Sequence, residues 1–300
     1  MRLIFCDDGF SRSQVDYMFS EEFEAAKSHQ IEISLISFED LKRGDFLSAF
    51  KKVTPPENQE IGVYRGWMLK PESYSKFYLR LLDRNIRLIN SPEEYLFCHY
   101  LPNSYDTISE LTPKTVFKKL ESEFLIQDLK GDLKVFGDKP IIVKDYVKSQ
   151  KHYWTEACFI PNASDLRLVE TVTNRFLELQ DEDLNEGLVY REFIELEKLT
   201  EHSISGMPLT KEFRFFILDG KILSRFNYWD EGDYGETQPD LSRIETIIPK
   251  IKSNFFTMDV AKVKDGDWII VELGDGQVSG LPENANKLDF YKALIGSLNN

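Results

Sequence analysis

The chain has 300 residues, 42% of them hydrophobic and 13% aromatic, and a formal net charge of -14. That length exceeds a domain of roughly 100 to 200 residues, so two or three compact units sharing a ligand-binding cleft are expected. No apolar run approaches the roughly 20 residues that span a bilayer, and the negative charge works against nucleic acid or an anionic membrane, which are bound through exposed basic patches.

In chain order, residues 2–6 (RLIFC) read as a buried strand, 13–27 as a helix and 31–36 as a second strand. The opening run turns acidic at Asp7 and Asp8 without a long apolar stretch or cleavage site, which predicts no export and a cytoplasmic location. Cys6, Cys98 and Cys158 are odd in number and widely spaced, so they are expected reduced and buried rather than as a disulfide framework. A strand over 61–64, a helix over 71–82 and a strand over 86–89 continue the alternation into a small parallel sheet with covering helices. Polar residues 101–109 mark a boundary, after which Thr112-Pro113 predicts a helix start with Thr as N-cap and Pro at N1. Strands over 132–136 and 140–147, a helix over 163–179 and a strand over 187–194 make a mixed middle unit. The last third is dominated by hairpins, with Asp-Gly turns at Asp219-Gly220 and Asp265-Gly266. The expected organisation is an α/β unit over 1–105 followed by two α+β units over 106–195 and 196–300.

The hairpins carry the chemistry. If Asp265-Gly266 is a two-residue turn, counting outward places Asp259 opposite Glu272, with Cβ atoms roughly 5 Å apart. Such a pair is either a solvent-screened acidic surface or a divalent-metal site, and the apolar run before Glu272 argues against full exposure. Gly274-Asp275-Gly276 offers a third carboxylate, Asp275, and magnesium needs only two or three such ligands because it keeps waters and phosphate oxygens. The same count on the other hairpin puts Arg214 across from Arg225, with Glu212 on the Arg214 face. Two opposed guanidiniums need an anion, and phosphate suits their planar forks, although separate surface carboxylates would also serve. Arg65-Gly66-Trp67, after a strand, stands where a parallel sheet presents its C-terminal edge, which suggests substrate contact by Arg65 and Trp67. His99, His152 and His202 have no catalytic partner at recognisable spacing.

Lys144 at the end of a strand, the hinge-like Tyr190-Arg191-Glu192-Phe193-Ile194, Glu212 with Arg214, and then Asp259 and Glu272 follow an order that resembles the ATP-grasp superfamily. The resemblance spans nearly the whole chain, residues 1–100 matching the Rossmann-like domain that precedes the grasp. It implies two α+β lobes clamping ATP, with Mg2+ or alternatively Mn2+ as cofactor, and a carboxylate joined to an amine through an acyl phosphate. By that resemblance Lys144 contacts phosphates, Arg191 belongs to the ATP-binding set, the backbone around Glu192 to Ile194 reads the adenine edge while Phe193 packs nearby, and Glu212 approaches ribose or metal. Arg214 and Arg225 stabilise the transferring phosphate, and Asp259 and Glu272 hold the metal. The chain departs from the family pattern at Gly274, where an asparagine is usual, and in lacking an early phosphate lysine near residues 97–101, a role that Lys148 or Lys151 would take. The implied partners are small-molecule or peptide carboxylates and amines. A small-molecule kinase, or a nucleotide-binding regulator without catalysis, are the alternatives.

Overall fold

The computed structural model describes residues 1–121, 124–203 and 208–299. The first strand, β1 (Arg2–Asp8), is buried from Arg2 to Asp7 and flanked in parallel by β3 (Glu32–Ile36) and β4 (Glu60–Arg65), with β5 (Ile86–Leu88) beyond β4. A strand buried on both faces reads as a continuous apolar run, which is what RLIFC is. On one face Ile4 and Cys6 pack with Phe77 and Leu81 of α4 (Pro71–Leu82). On the other, Leu3 and Phe5 meet Ala25 and Ala26 of α1 (Ser20–Lys27) and Phe290, Tyr291 and Leu294 of α9 (Lys287–Leu298). Phe216 and Phe255, from the last sheet, join this second cluster, so the first unit and the C-terminal sheet share a core.

The middle sheet is antiparallel in the order β6 (Thr115–Lys119), β9 (Gly187–Glu192), β7 (Ile141–Asp145), β8 (Phe159–Ile160). It packs against α8 (Leu166–Gln180), whose N-cap Asp165 accepts from the Leu168 amide and whose stripe Val169, Val172, Phe176 enters the core. The C-terminal sheet is also antiparallel, in the order β13 (Lys221–Asn227), β12 (Glu212–Leu218), β14 (Phe255–Lys262), β15 (Trp268–Asp275). Short strands β10 (Lys198–Glu201) and β11 (Pro208–Thr210) pair separately. The remaining helices are α2 (Phe38–Lys42), α3 (Phe46–Ala49), α5 (Pro92–His99), α6 (Leu101–Ile108) and α7 (Trp154–Ala157). The α/β beginning and α+β remainder agree with the expected class. No helix among the described residues is long and apolar enough to cross a membrane.

Several local expectations fail for physical reasons. Residues 11–15 form a strand, β2, antiparallel to the end of β1, and Asp16 caps a 3-10 turn, so the helix starts only at Ser20. The polar stretch after residue 100 is α6, with Pro102 in its first turn and Leu101, Ser104 and Ile108 buried. Thr112-Pro113 starts no helix: the Thr112 hydroxyl donates to the Ile270 carbonyl at 2.7 Å, and the β-prone residues 115–119 pair with β9. Residues 132–136 form a 3-10 helix, which puts Leu133 and Phe136 into the core on one side.

Candidate active site

Asp259 and Glu272 are direct cross-strand partners on β14 and β15. The route to that register differs from the count. The connection is one residue longer than a two-residue turn, with Val263 donating to the Asp267 carbonyl, and Lys262 pairs with Trp268. A bulge at Val271 returns the lost residue, and without it Glu272 would point through the other face. The opposite error occurs on the arginine hairpin. Leu218 does pair with Lys221, but a bulge at Leu223 shifts the ladder so that Arg214 faces Phe226 and Arg225 faces Phe215. The two arginines therefore lie on opposite faces. Arg225 bonds Gln238 and covers the Phe213 ring at 5.5 Å, away from the carboxylates.

Arg214 instead meets Asp259, its partner across β12 and β14. The guanidinium donates from Nε to Oδ1 at 2.8 Å and from Nη2 to Oδ2 at 2.7 Å, and from Nη1 to the Gly280 carbonyl at 3.0 Å. Tyr228 lies over it at 4.8 Å. Lys144, buried on β7 of the other sheet, donates to Glu272 Oε2 at 3.0 Å, a link between the two lobes. For Glu272, burial pushes the pKa up but is outweighed by Lys144, then Arg214 and Arg191, so the group is held below its ordinary value. Lys151 packs over the Trp229 ring at 5.2 Å and its charge reaches Glu212 and Asp259, whereas Lys148 is exposed.

Glu212, two residues from Arg214 on the same face, is buried. Burial, then the charges of Asp259 and Glu272, push its carboxyl up to about 8 against the pull of Arg214 and Lys151. A carboxyl with a raised folded pKa contributes stability that is complete below its ordinary value of 4.5 and is lost as pH rises through about 8. Asp275, raised by burial to about 6, has the same sign but acts lower. His99, depressed by burial and then by Lys148 to about 3, has the opposite sign and acts as pH falls below 6.5. Urea denaturation of the nucleotide-free protein is thus expected to show a loss of about 1 kcal/mol between about pH 7 and 8, absent in Glu212→Gln. An equal slope in both proteins would contradict the assignment.

Asp275 lies one strand position out of phase with Glu272 and points into the protein, where it accepts from Asn90 Nδ2 at 2.6 Å and the Gln277 amide at 2.9 Å; it is not a third metal ligand. Among the described residues no three His, Cys, Asp or Glu side chains are grouped to hold a metal. At Gly274 a Cβ would stand 2.7 Å from both the Thr257 and Ser279 hydroxyls, which bond each other at 2.8 Å, so an asparagine there would need both to move. Arg191 sends its guanidinium to the Val271 carbonyl at the bulge, to Ile270 and to Thr112, which spends it on binding the middle sheet to β15 rather than leaving it for ATP. The Glu192 side chain bonds Lys139, and the Glu192 and Phe193 amides donate to the Lys114 and Pro140 carbonyls, so these two N–H groups are already spent within the sheet. Phe193 packs on Trp154 and Phe159.

Arg65 is also removed from the substrate side. It is 1% exposed, paired with Glu22 at 2.9 Å, and donates to the carbonyls of Gly276 and Ser279 at 2.6 and 2.9 Å. Trp67 is exposed, with its indole N–H on Asp16. Two residues that sequence reasoning missed shape the site. Asp145 accepts from the Val147, Lys148 and Asn185 amides and fixes the loop after Lys144. Thr257, on the Asp259 face by period-two alternation, was within reach of strand counting.

Lys144, Arg214, Thr257, Asp259, Glu272 and Ser279 line a cavity of about 90 Å³, and a second of about 640 Å³ adjoins it, sharing Met68, His99, Val147, Val278 and Gly280.

Residues 134–298 match a family model described as ATP-grasp domain, R2K clade family 3. No curated protein matches. Among solved structures, the chain is similar to a RimK domain protein ATP-grasp from Sphaerobacter thermophilus DSM 20745 (TM-score 0.61, 11% identity, 100% of both chains covered). It is also similar to D-alanine--D-alanine ligase from Bacillus anthracis complexed with ATP (0.59, 16%, 99% of this chain and 96% of that one). A third is the ATP-grasp ligase PsnB complexed with minimal precursor, Mg and ADP (0.56, 12%, 100% and 98%).

Proposed function

Because the chain belongs to the ATP-grasp superfamily, within R2K clade family 3, we propose that it is an ATP-dependent ligase that joins a carboxylate to an amine or similar nucleophile through an acyl phosphate. The observation that carries this reading is the pair of ion bridges, Arg214 on Asp259 and Lys144 on Glu272, in which each phosphate-type cation holds a metal-type anion. Two lobes supply the four groups, so a ligand that separated the signs would be gripped from both sides.

The donor set fits a divalent cation of the magnesium type only in company. Asp259 and Glu272 are hard oxygen ligands facing each other, and Glu212 is a buried carboxyl on the same sheet face whose pKa is raised first by burial and then by those two charges. Asp259 and Glu272 would hold the cation, with waters and nucleotide oxygens making up the rest of its ligands. When bound, the cation would neutralise charge on the phosphate oxygens. Arg214 and Lys144, relieved of their carboxylates, would turn to the phosphates, and Lys151 would close the same side. The acid substrate's carboxylate would take the γ-phosphoryl group, ADP would leave, and the nucleophile would then displace phosphate from the acyl carbon. Positioning and charge stabilisation carry such a reaction. The precursor and the D-alanine in the neighbours' names support a small-molecule or peptide acid.

Hydroxylamine tests it. With MgATP and a panel of carboxylic acids, an acyl phosphate gives a hydroxamate in step with ADP. Phosphorylated acid that never yields hydroxamate would turn the reading to a kinase. ATP binding without ADP release across the panel would turn it to a regulator, the reading that Gly274 favours.

A further inference from the structure

The cavity of about 640 Å³ lies between the first unit and the middle sheet. We propose that it binds the acid substrate, and that this substrate is a carboxylic acid with a bulky apolar body, aromatic or branched aliphatic. The proposal deepens the ligase reading and rests on it for the word substrate, though not for binding.

Size comes first. Cavities of roughly 300 to 1,000 Å³ enclose a drug-sized ligand, so this one is far larger than a small polar amino acid requires. Its wall is apolar on the first-unit side, with Phe19, Phe38, Trp67, Met68 and Leu69, and Leu281 also lines it. Trp67 and Met68 keep 39% and 43% of their surface exposed although they face a cleft rather than open surface. Large side chains left uncovered in a concave wall mark a place where apolar surface is buried on binding. Trp67 is also held for the purpose, its ring edge-on to Phe19 and its N–H on Asp16 at 2.8 Å, so little freedom is lost when a ligand packs on it.

The charges give the sign of the polar end. Lys42, Lys70 and Lys148 line the cavity, and the carboxylates are Asp183 and Glu22. Glu22 is spent on Arg65 and on the Tyr291 hydroxyl, which donates to it at 2.6 Å. A surplus of lysine in a chain of net charge -14 is local and favours an anion. The neck common to both cavities, at Met68, His99, Val147 and Gly280, leads to the Gly280 carbonyl that Arg214 holds. An acid whose body fills the larger cavity would place its carboxylate in this neck, beside Lys148 and facing the phosphate cations. A free amino-acid derivative and the C-terminus of a peptide offer the same chemistry.

Calorimetric titration without nucleotide separates this from the ligase reading, whose own test is ADP release. The probes are N-acetylphenylalanine, a tetrapeptide ending in phenylalanine, N-acetylalanine and phenethylamine. N-acetylphenylalanine or the tetrapeptide is expected to bind at least about tenfold more tightly than N-acetylalanine and phenethylamine. Preference between the first two identifies a free acid or a chain end as the source. Trp67→Ala, which removes a partly exposed ring, is expected to weaken that binding about tenfold with the circular dichroism spectrum and MgATP affinity unchanged. Equal binding of phenethylamine, equal binding of N-acetylalanine, no binding of either phenylalanine probe, or unaltered binding by Trp67→Ala would overturn the proposal, whatever the outcome for ADP release.

Discussion

Asp259→Asn is expected to abolish ADP release, by about 10³-fold or more, while the protein remains folded. The substitution keeps shape and removes one charge, so it tests the role of the negative oxygen and not the packing. Structurally it leaves Arg214, now bidentate on that carboxylate at 2.8 and 2.7 Å, facing a neutral amide in a place where little water reaches. Loss of one member of a buried pair costs about 3 kcal/mol, which a melting experiment resolves. Glu272→Gln is expected to match the loss of activity with a smaller loss of stability, about 1 kcal/mol, because the Glu272 side chain is 37% exposed and water screens the pair from that side, although Lys144 itself is buried. Arg225→Ala is the control on the same hairpin: its guanidinium is on the far face, and turnover is expected within about twofold of the parent. Full ADP release by Asp259→Asn or Glu272→Gln, or equal loss in Arg225→Ala, would remove the basis for placing ATP at this sheet face.

The contrast between these residues also shows what strand counting can reach. Asp259 and Glu272 were found opposite each other because two departures from a simple hairpin cancel, the longer connection after Val263 and the bulge at Val271. Arg214 and Arg225 were misplaced because a single bulge, at Leu223, had nothing to cancel it. Neither bulge carries a glycine or any other local mark; each sits in an apolar run whose facing strand decides where the extra residue goes. Asp275 was legible and misread, since an odd separation from Glu272 puts it through the sheet. The α/β beginning was readable from alternating elements, whereas Thr112 and Arg191 were not, because their partners at Ile270 and Val271 lie far along the chain. Local preference sets the elements, and distant contacts decide where the charged side chains are spent.

Arg65→Ala is expected to lower unfolding free energy by about 4 kcal/mol, the largest stability effect of any substitution considered. The side chain ends β4, and its guanidinium spans from Glu22 on α1 to the carbonyls of Gly276, Gln277 and Ser279 that follow β15. Removal therefore leaves a buried carboxylate and several carbonyls without their donor, each costing about 1 to 3 kcal/mol when unsatisfied, with partial relief from Tyr291. Lysine is not a substitute, as it lacks the planar fork that serves carboxylate and carbonyls at once. The double variant Arg65→Met with Glu22→Gln separates the causes: if the pair is a strut, the two changes together destabilise by less than the sum of each alone, by about 1 to 2 kcal/mol. A substrate-binding arginine would behave otherwise, with a raised Michaelis constant, little change in melting temperature and additive energies. Because the same carbonyls lie between Glu272 and the Gly280 contact of Arg214, a loosened Arg65 is also expected to lower the turnover number, so a lowered turnover with an unchanged Michaelis constant in the double variant, where Glu22 brings no charge to the cavity, distinguishes a strut from a contact.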